Sequence, residues 1–414
     1  MFVAMRPLVL GILTASLLLG QPSYTWDQIR DRFRASNPNL QAGRIGIDEA
    51  KTQEITAFLR PNPELTTTLD QFNPFTSGPY RPLSNVFPLV SGSYLHERQH
   101  KRELRLASAK GATAIAESQF ADQERNLLFS LRDAFNATLQ AKAILAVTKE
   151  SLAYYDKLLA LSAERYRAGD IAQVDLDRLQ LQRVQFESDA LTAEVNLRTA
   201  KINLLNLLAD RPPVDQFDVT GPFDFTPAVA PLDECRNAAL EGRPDLKAAL
   251  QSVDKARTDN KLAIANGSTD PTFSMDFGRN PPIPAYTGVS MSIPLRIFDR
   301  NQGEKLRSEL EIRRNLHLKT AAEAQVYRDV DSAWTTLNSA LRLLEPYKSS
   351  YLATAARVRE TVSFAYQRGG ASLLDFLGAQ NDYRSIQINY LNLVGSWLSA
   401  ANQLNLAVGR EVIR

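Results

Sequence analysis

The pentapeptide Tyr-Arg-Ala-Gly-Asp at residues 166–170 returns as Tyr-Gln-Arg-Gly-Gly at residues 366–370. The same offset of 200 residues aligns Asp175 with Asp375 and Gln180 with Gln380 without a gap. Further upstream, an offset of 206 aligns Asn-Pro-Asn-Leu at residues 37–40 with Arg-Pro-Asp-Leu at residues 243–246. The chain therefore contains a duplicated unit of about 200 residues, which predicts two copies of one arrangement of helices and strands.

Long helices are expected on both sides of these pentapeptides. No proline occurs among the 123 residues from Leu89 to Arg211, where average usage predicts about six, and such an absence is typical of continuous helix. A helix from about Glu97 to the first pentapeptide would be roughly 105 Å long, a span suited to the periplasm. The prolines concentrate before Leu89 and between Pro212 and Pro294, so strands and irregular structure are expected there.

A heptad pattern of apolar residues predicts coiled-coil packing in the second half of each unit. In the second unit, positions spaced alternately by three and four residues are apolar throughout. They are Phe376, Ala379, Tyr383, Ile386, Tyr390, Leu393, Trp397, Ala400, Leu404 and Ala407. The first unit has the corresponding series from Leu176 to Leu207, broken at Arg183, whose aliphatic stem can lie along the seam.

The glycines of the pentapeptides predict a turn between two helices. Gly169 and Gly369 suit the left-handed residue that ends a helix. Ser372, with Asp375 three residues later, predicts a capping box at the start of the following helix. Asp175 and Asp375 then lie in the first turns of their helices, where the helix dipole favours carboxylates.

The second proline-rich zone contains two alternating runs that predict a hairpin of membrane strands. Phe273, Met275 and Phe277 alternate with polar residues, and a second run extends from Val289 to Leu295. The first zone has a weaker pattern that begins at Leu65, and its return segment is crowded with prolines, so shorter or bulged strands are expected there. Those prolines are Pro74, Pro79, Pro82 and Pro88. Four strands cannot close a barrel, so if they cross a membrane, the chain must combine its strands with those of copies of itself.

The N-terminus has the pattern of an export signal. Arg6 precedes a 14-residue, nearly unbroken apolar run from Pro7 to Gly20, which suits a signal peptide better than a retained anchor. Each repeat is expected to comprise a short helix, a β-hairpin and a long helical hairpin. The expected divisions are a signal peptide (residues 1–23), a first repeat (24–211), a linker (212–231) and a second repeat (232–414).

Charge and composition argue against several functions. The 48 basic and 46 acidic side chains give a formal charge of +2, which provides no electrostatic footprint for nucleic acid. A single cysteine, Cys235, and three histidines are too few for a structural zinc site, and no cofactor is expected. The chain also lacks a nucleophile elbow, a phosphate loop and a metalloprotease helix, so an enzyme is not expected.

Two further clusters lie where a strand is expected to pass into the first long helix. His96 and His100 have the i, i+4 spacing that can hold a metal ion, but a solvated pair is favoured because no third ligand is evident. The run Lys101, Arg102 and Arg105 indicates a solvated helix face at a membrane boundary.

Several motifs together resemble the TolC family of outer-membrane efflux proteins. Each Tyr-x-x-Gly turn is followed by Asp six residues after the Gly and by Gln five residues beyond that. The Asn-Pro-Asn-Leu motif recurs as Arg-Pro-Asp-Leu, and residues 292–303 read Ser-Ile-Pro-Leu-Arg-Ile-Phe-Asp-Arg-Asn-Gln-Gly. The resemblance covers nearly everything after the signal peptide, and the last motif looks most like members that work with heavy-metal resistance pumps.

The resemblance implies a mainly α fold and a homotrimer. Each chain would contribute four strands to a 12-stranded outer-membrane β-barrel and long antiparallel coiled-coil helices to an α-barrel in the periplasm. It implies a passive exit duct for small molecules, metal ions or polypeptide, in a tripartite efflux or type I secretion system. The implied partners are a periplasmic adaptor (membrane fusion protein), an inner-membrane pump of the RND or ABC type and outer-membrane lipid, with no nucleic acid. A soluble periplasmic coiled-coil adaptor or scaffold is the alternative, although it would typically carry one hairpin between compact β domains.

The resemblance also implies two kinds of site at the helical turns. Residues of both turns would dock the adaptor, namely Tyr166, Gly169, Asp170, Tyr366, Gly369 and Gly370. Asp175 and Asp375 would give a trimer six carboxylates at a cation-selecting constriction. Helix termination by the glycines, seam packing by the tyrosines and helix capping by the aspartates are the alternatives.

One feature departs from the best-known gate of the family. In that pattern an arginine and a further aspartate lie beside the second constriction position, whereas this chain has Ala371 and Gly378 there. A salt-bridge lock of that type is therefore not expected.

Overall fold

The computed structural model describes residues 23–70, 86–280 and 283–413. The expected signal peptide lies almost wholly outside the described residues, as do Pro74, Pro79 and Pro82. Within the described ranges, no helix is long and apolar enough to cross a membrane.

The first half of the chain runs through two short helices, a hairpin and two long helices. A two-residue strand precedes them. The bounds are β1 Ser23–Tyr24, α1 Trp26–Ser36, α2 Pro38–Phe58, β2 Glu64–Asp70, β3 Phe87–Leu95, α3 Lys101–Ala168 and α4 Gln173–Leu207. The expected long helix is α3, which continues for 68 residues.

The second half repeats this order after a linker that holds the short strand β4, Asp218–Val219. The bounds are α5 Leu232–Gly242, α6 Pro244–Asn266, β5 Thr272–Asn280, β6 Ile283–Ser292, α7 Gln302–Pro346, α8 Leu352–Gln367 and α9 Leu373–Val408. A π-helical segment, Tyr347–Tyr351, joins α7 to α8 directly after Pro346. Because proline has no N–H to donate within a helix, the long helix of the second repeat loses its regularity there.

The chain divides into two compact units. The turn unit comprises Met1–Asn37, Ser130–Phe225 and Arg342–Ser399, and it holds both helical turns. The sheet unit comprises Pro38–Phe129, Thr226–Leu341 and Ala400–Arg414, and it holds the four longer strands.

The duplicated motifs at residues 37 and 243 occupy equivalent places in the two repeats. Each precedes the proline that starts a helix, and each buried side chain caps the C-terminal end of a long helix. The amide of Asn37 donates to the carbonyl of Leu207 at 3.0 Å, and the guanidinium of Arg243 donates to that of Ala407 at 3.3 Å. The two acceptor residues are themselves related by the 200-residue offset, so both repeats contain the equivalent hydrogen bond.

The predicted coiled-coil seams are confirmed. All ten seam residues from Phe376 to Ala407 in α9, and all ten from Leu176 to Leu207 in α4, are buried or half-buried. Arg183 keeps its place in the seam because its guanidinium reaches outward to Asp156 at 2.6 Å and to Glu187 at 2.9 Å.

The two hairpins form one antiparallel sheet of four strands in the order β2-β3-β5-β6. The alternation predicted for β5 and β6 is confirmed up to Ser292, but the prediction that strand continues to Leu295 is wrong. The strand ends there because Ser292 pairs with Thr272, the first residue of β5, so the partner strand extends no further. In the first hairpin β2 extends over seven residues to the edge of the described range, and β3 is a regular strand of nine residues that contains Pro88, so the expectation of a shorter or bulged strand is wrong for β3. The register irregularity lies at Gly278/Asn280 in the second hairpin.

Candidate functional site

The two helical turns have the same backbone. Gly169 and Gly369 have φ angles of +85° and +77°, the left-handed conformation that glycine adopts without steric cost. In the first turn the N–H of Gly169 donates to the carbonyl of Tyr166, and the N–H of Asp170 donates to that of Arg165 at 2.9 Å. Residues 365–370 make the matching pair of bonds. This is the Schellman arrangement, so the predicted helix-stop glycines are confirmed.

The turns present their backbone to solvent. Apart from the glycine and its immediate neighbours along the chain, no heavy atom lies within 4 Å of the position that a Cβ would take at Gly169 or Gly369. Asp170 and Gly370 are exposed as well. These four docking candidates therefore form two small, open surfaces.

The two candidate tyrosines differ. The ring of Tyr366 is 7% exposed and stacks on Phe376, with the ring centroids 4.9 Å apart. The guanidinium of Arg165 lies over the same ring at 5.7 Å. Tyr166 is 39% exposed. Seam packing therefore describes Tyr366, whereas Tyr166 is available at the surface.

The electrostatic surroundings of Tyr366 connect it to one candidate aspartate. Burial raises the pKa of the Tyr366 phenol, opposed by the positive charge of Arg165 and reinforced by the negative charge of Asp175. The phenol is also hydrogen-bonded to Ser162. Asp175 of the first repeat thus lies close to the buried tyrosine of the second.

The helices after the turns begin differently. The predicted capping box at Ser372 is confirmed, since the backbone N–H of Asp375 donates to the Ser372 hydroxyl at 3.1 Å and the Asp375 carboxylate accepts from Ser372. These hydrogen bonds hold the pKa of the Asp375 carboxyl below its usual range. In the first repeat Ala172 occupies the cap position and has no side chain to offer. Asp175 and Asp375 both lie in the first helical turn, the former half-buried and the latter exposed.

The position of the missing gate arginine is apolar. Ala371 is half-buried and packs against the apolar cluster below the turns. That cluster includes Tyr366 and Phe376. Gly378 is exposed, with open space where a side chain would lie. These two positions therefore cannot supply a charged lock.

Sequence reasoning missed the packing that supports the turns. The ring of Tyr155 is 1% exposed and stacks on Phe186, with centroids 4.7 Å apart. The guanidinium of Arg384 lies 4.8 Å from the Phe186 ring and also pairs with Asp189. The Phe186 position was identifiable from the heptad pattern, but Tyr155 lies in α3, where no seam was assigned.

A buried polar group also supports the turns. Gln380, which is 6% exposed, donates to the Ser363 hydroxyl at 3.2 Å, and the hydroxyl of Tyr154 donates to the same oxygen at 3.3 Å. The repeat alignment singled out Gln380, although it gave no reason for its burial. A satisfied polar group between helices fixes one register of packing.

The four-stranded sheet has one apolar face and one polar face. Cross-strand pairs place Val90 opposite Phe277 and Met275 opposite Val289, and all four side chains are exposed. On the other face the Ser91 hydroxyl donates to the Asp276 carboxylate at 2.5 Å. The apolar face therefore lacks a covering within the described chain, which a membrane would provide.

The basic run at the start of α3 is organised differently from the expectation. The prediction of a solvated face is wrong for Lys101, whose side chain is 4% exposed and bonds the Asp270 carboxylate at 2.5 Å. Arg105 is also engaged, with Glu97. Among the described residues, no group of three or more His, Cys, Asp or Glu side chains is placed to hold a metal ion.

Comparison with known proteins gives consistent matches. Residues 235–410 match the family described as "Outer membrane efflux protein". The chain is 23% identical over 385 residues to the cobalt-zinc-cadmium resistance protein CzcC of Cupriavidus metallidurans, covering 91% of this chain and 87% of that protein.

Solved structures match along nearly the whole chain. CusC superposes with a TM-score of 0.77 at 15% identity, covering 93% of this chain and 92% of that chain. VceC of Vibrio cholerae gives 0.74 at 16% identity, with coverages of 94% and 97%. The open state of the MtrE channel of Neisseria gonorrhoeae gives 0.74 at 15% identity, with coverages of 94% and 90%. At these identities the likeness concerns the fold.

Proposed function

Because this chain belongs to the outer-membrane efflux protein family and is an outer-membrane channel that extends into the periplasm, we propose that three copies form one exit duct. A duct of this kind performs no chemistry on its cargo. The observation that carries the proposal is a sheet with an uncovered apolar face, connected in sequence to two long helical hairpins.

The sheet is proposed to lie in the outer membrane. Its exposed apolar side chains would face lipid, and the serines, threonines and Asp276 of the other face would line water. Strands β2 and β6 are the two edges of the sheet, and every residue of β2 is exposed. Open edges cannot remain unpaired in lipid, so β2 of one copy is proposed to pair with β6 of the next.

A second surface supports association of copies. Helix α4 carries exposed apolar residues in addition to its buried seam, and they recur at intervals of three, four and seven residues. They are Val174, Leu181, Val184, Leu191, Val195 and Ile202. An exposed second seam of this kind is expected to pack against a helix of another copy.

The two turns are proposed to dock the adaptor. Gly169 and Gly369 allow close approach of a partner backbone because no side chain covers them. Asp170, Gly370 and the exposed Tyr166 complete this surface. Tyr366 contributes from beneath by holding the second-repeat turn against the apolar cluster.

The two aspartates near the turns are proposed to form the constriction. In a trimer, Asp175 and Asp375 would supply six carboxylates, which would attract cations and narrow the opening. The Ser372 hydrogen bonds support a charged Asp375, because they lower its carboxyl pKa. An adaptor bound at the turns would then shift the chain between closed and open arrangements.

Divalent metal ions are proposed as one cargo. The name of the relative CzcC, a cobalt-zinc-cadmium resistance protein, supports this assignment. An inner-membrane pump, of the RND or ABC type, would select the cargo. Deletion of the gene should then raise sensitivity to zinc, cobalt or cadmium salts, and a plasmid copy should restore growth.

Membrane fractionation tests the proposed duct against the soluble alternative. The full-length protein should be extracted with outer membranes and should migrate as an oligomer on gels until it is heated. Release by osmotic shock as a soluble monomer would contradict the proposal and favour a periplasmic scaffold.

A further inference from the structure

An open cavity of about 520 Å³ lies at the end of the sheet where β2 begins and β3 ends. It lies between the C-terminal end of α2 and the start of α3. Charged side chains supply more than half of its lining residues, namely Arg60, Glu97, Arg98, Lys101, Arg102 and Glu103. The candidate adaptor and constriction residues all lie in the turn unit, whereas this cavity lies in the sheet unit.

The cavity has an excess of positive charge. Four of its side chains are basic and two are carboxylates, and one of the basic groups, Lys101, is paired with Asp270. Both carboxylates are already engaged, Glu97 with Arg105 and Glu103 with Arg102 at 3.0 Å. Within the described ranges, the guanidinium groups of Arg60 and Arg98 have no ion-pair partner, and both residues are exposed. These two guanidinium groups are therefore free to donate hydrogen bonds to an anion.

Apolar side chains border the cavity. The end of α2 exposes Ile55, Phe58 and Leu59 to solvent, with Leu59 at 61%. The guanidinium of Arg102, a cavity residue, lies 4.4 Å from the centroid of the Phe58 ring. The backbone here is tied down, because Arg105 donates to the carbonyls of Ala57 and Leu59 at 3.3 and 3.2 Å. A cationic pocket beside uncovered apolar side chains matches the two parts of an anionic lipid.

We propose that this cavity binds the phosphodiester headgroup of an anionic phospholipid. Arg60 and Arg98 bind the phosphate oxygens, and the acyl chains lie against Ile55, Phe58 and Leu59. The inference rests on the proposed position of the sheet in the outer membrane, since the cavity then lies at the periplasmic boundary of the bilayer. There the lipid would fix the depth of the sheet, as basic residues at a membrane boundary do.

Native mass spectrometry of the full-length protein in detergent tests the site. The protein is mixed with equal amounts of phosphatidylglycerol and phosphatidylcholine, and the ratio of retained lipids is measured. The wild type should retain phosphatidylglycerol preferentially. The variant R60Q/R98Q should lower the ratio on the order of fivefold for each arginine removed.

A matched control separates the site from general charge. The variant R257Q/R313Q removes two other exposed arginines from the sheet unit, and its lipid ratio should equal that of the wild type. An equal ratio in R60Q/R98Q and the wild type would overturn the proposal, as would an equal decrease in the control. Complete displacement of phosphatidylglycerol by excess inorganic phosphate would assign the cavity to free phosphate and also overturn it.

The same samples distinguish this proposal from the proposed duct. Variant R60Q/R98Q should still form oligomers and conduct ions in planar bilayers. Loss of the oligomer in this variant would show that a second copy fills the cavity, contradicting the lipid site. A wild type that retains phosphatidylglycerol but does not conduct would contradict the duct alone.

Discussion

The first-repeat turn and the second-repeat turn stop their helices with the same hydrogen bonds, but different side chains hold them in place. Gly169 and Gly369 share a left-handed backbone. In the second repeat, a stacked Tyr366 and the Ser372 cap fix the turn on both sides. In the first repeat, Tyr166 is exposed and Ala172 cannot cap.

The two repeats therefore share the backbone of the turn and differ in the side chains that support it. The backbone geometry is common to both copies because a helical hairpin needs it, while the side-chain supports have diverged. The second-repeat turn is therefore expected to be the more rigid of the two, and the first-repeat turn the more adaptable to a partner.

Truncation of the two tyrosines should give the largest difference in stability between the turns. Tyr366→Ala removes a buried, stacked ring and should destabilise the second-repeat turn by roughly 3 kcal/mol. Tyr166→Ala removes a partly exposed ring and should cost less than about 0.5 kcal/mol. Hydrogen exchange of the amides around each turn measures both effects.

The conservative variant Tyr366→Phe is the control for that prediction. It keeps the stack on Phe376 and loses the Ser162 hydrogen bond, so most of the protection should remain. Equal losses of protection in Tyr166→Ala and Tyr366→Ala would show that the two turns are supported alike.

Alanine substitution of the turn glycines tests the left-handed backbone conformation that both repeats share. Gly169→Ala and Gly369→Ala place a Cβ on a left-handed residue, and each should cost about 1 to 2 kcal/mol. The cost should be similar in both, because no neighbouring atom crowds either position. Thermal unfolding and hydrogen exchange provide the measurement. Gly370→Ala, where a Cβ meets only ordinary contact, should be nearly neutral.

Substitutions at the two cap positions test whether the cap residue accounts for the difference between the turns. Ser372→Ala removes the hydroxyl that binds the N–H of Asp375, so exchange at the start of α9 should become about fivefold faster. Ala172→Ser supplies a hydroxyl three residues before Asp175 and should slow exchange at the start of α4 by a similar factor. If Ala172→Ser has no effect while Ser372→Ala does, the two turns differ by more than the cap.

Acidification should act on the second-repeat turn in a defined direction. The pKa of Asp375 is lower in the folded protein than in the unfolded chain because of the Ser372 hydrogen bonds. Its stabilising contribution is therefore complete above the ordinary carboxyl pKa of about 4 and is lost as the pH falls through the lower folded value. Protection at the start of α9, corrected for intrinsic exchange, should decrease in that range. Ser372→Ala should weaken this pH dependence, and an unaltered dependence would argue against the capping box as its cause.

The sequence predicted the architecture through local signals. Proline distribution and heptads identify the long helices, and alternation identifies the hairpins, because these elements depend on near neighbours in the chain. The 200-residue offset then shows that the same elements occur twice. The error at Ile293 and Leu295 arose because the alternation continues in sequence past Ser292, whereas the partner strand β5 begins at Thr272, opposite Ser292.

Long-range packing could not be predicted in the same way. The duplicated motif makes Tyr166 and Tyr366 equivalent, and their different exposure depends on neighbours such as Phe376 and Ser162. Lys101 is buried because Asp270, 169 residues away, supplies a partner. Such partners come from distant segments, and the local pattern contains no sign of them.

Single-channel recording tests the proposal that Asp175 and Asp375 form the constriction of an oligomeric duct. Wild-type protein in planar bilayers should open rarely and prefer cations. The variant D175A/D375A should lose most of this preference because it removes all six carboxylates, and it should raise the closed-state conductance because the shorter alanine side chains leave a wider opening. Unchanged selectivity and unchanged closed-state conductance in this variant would contradict the account and place the constriction elsewhere.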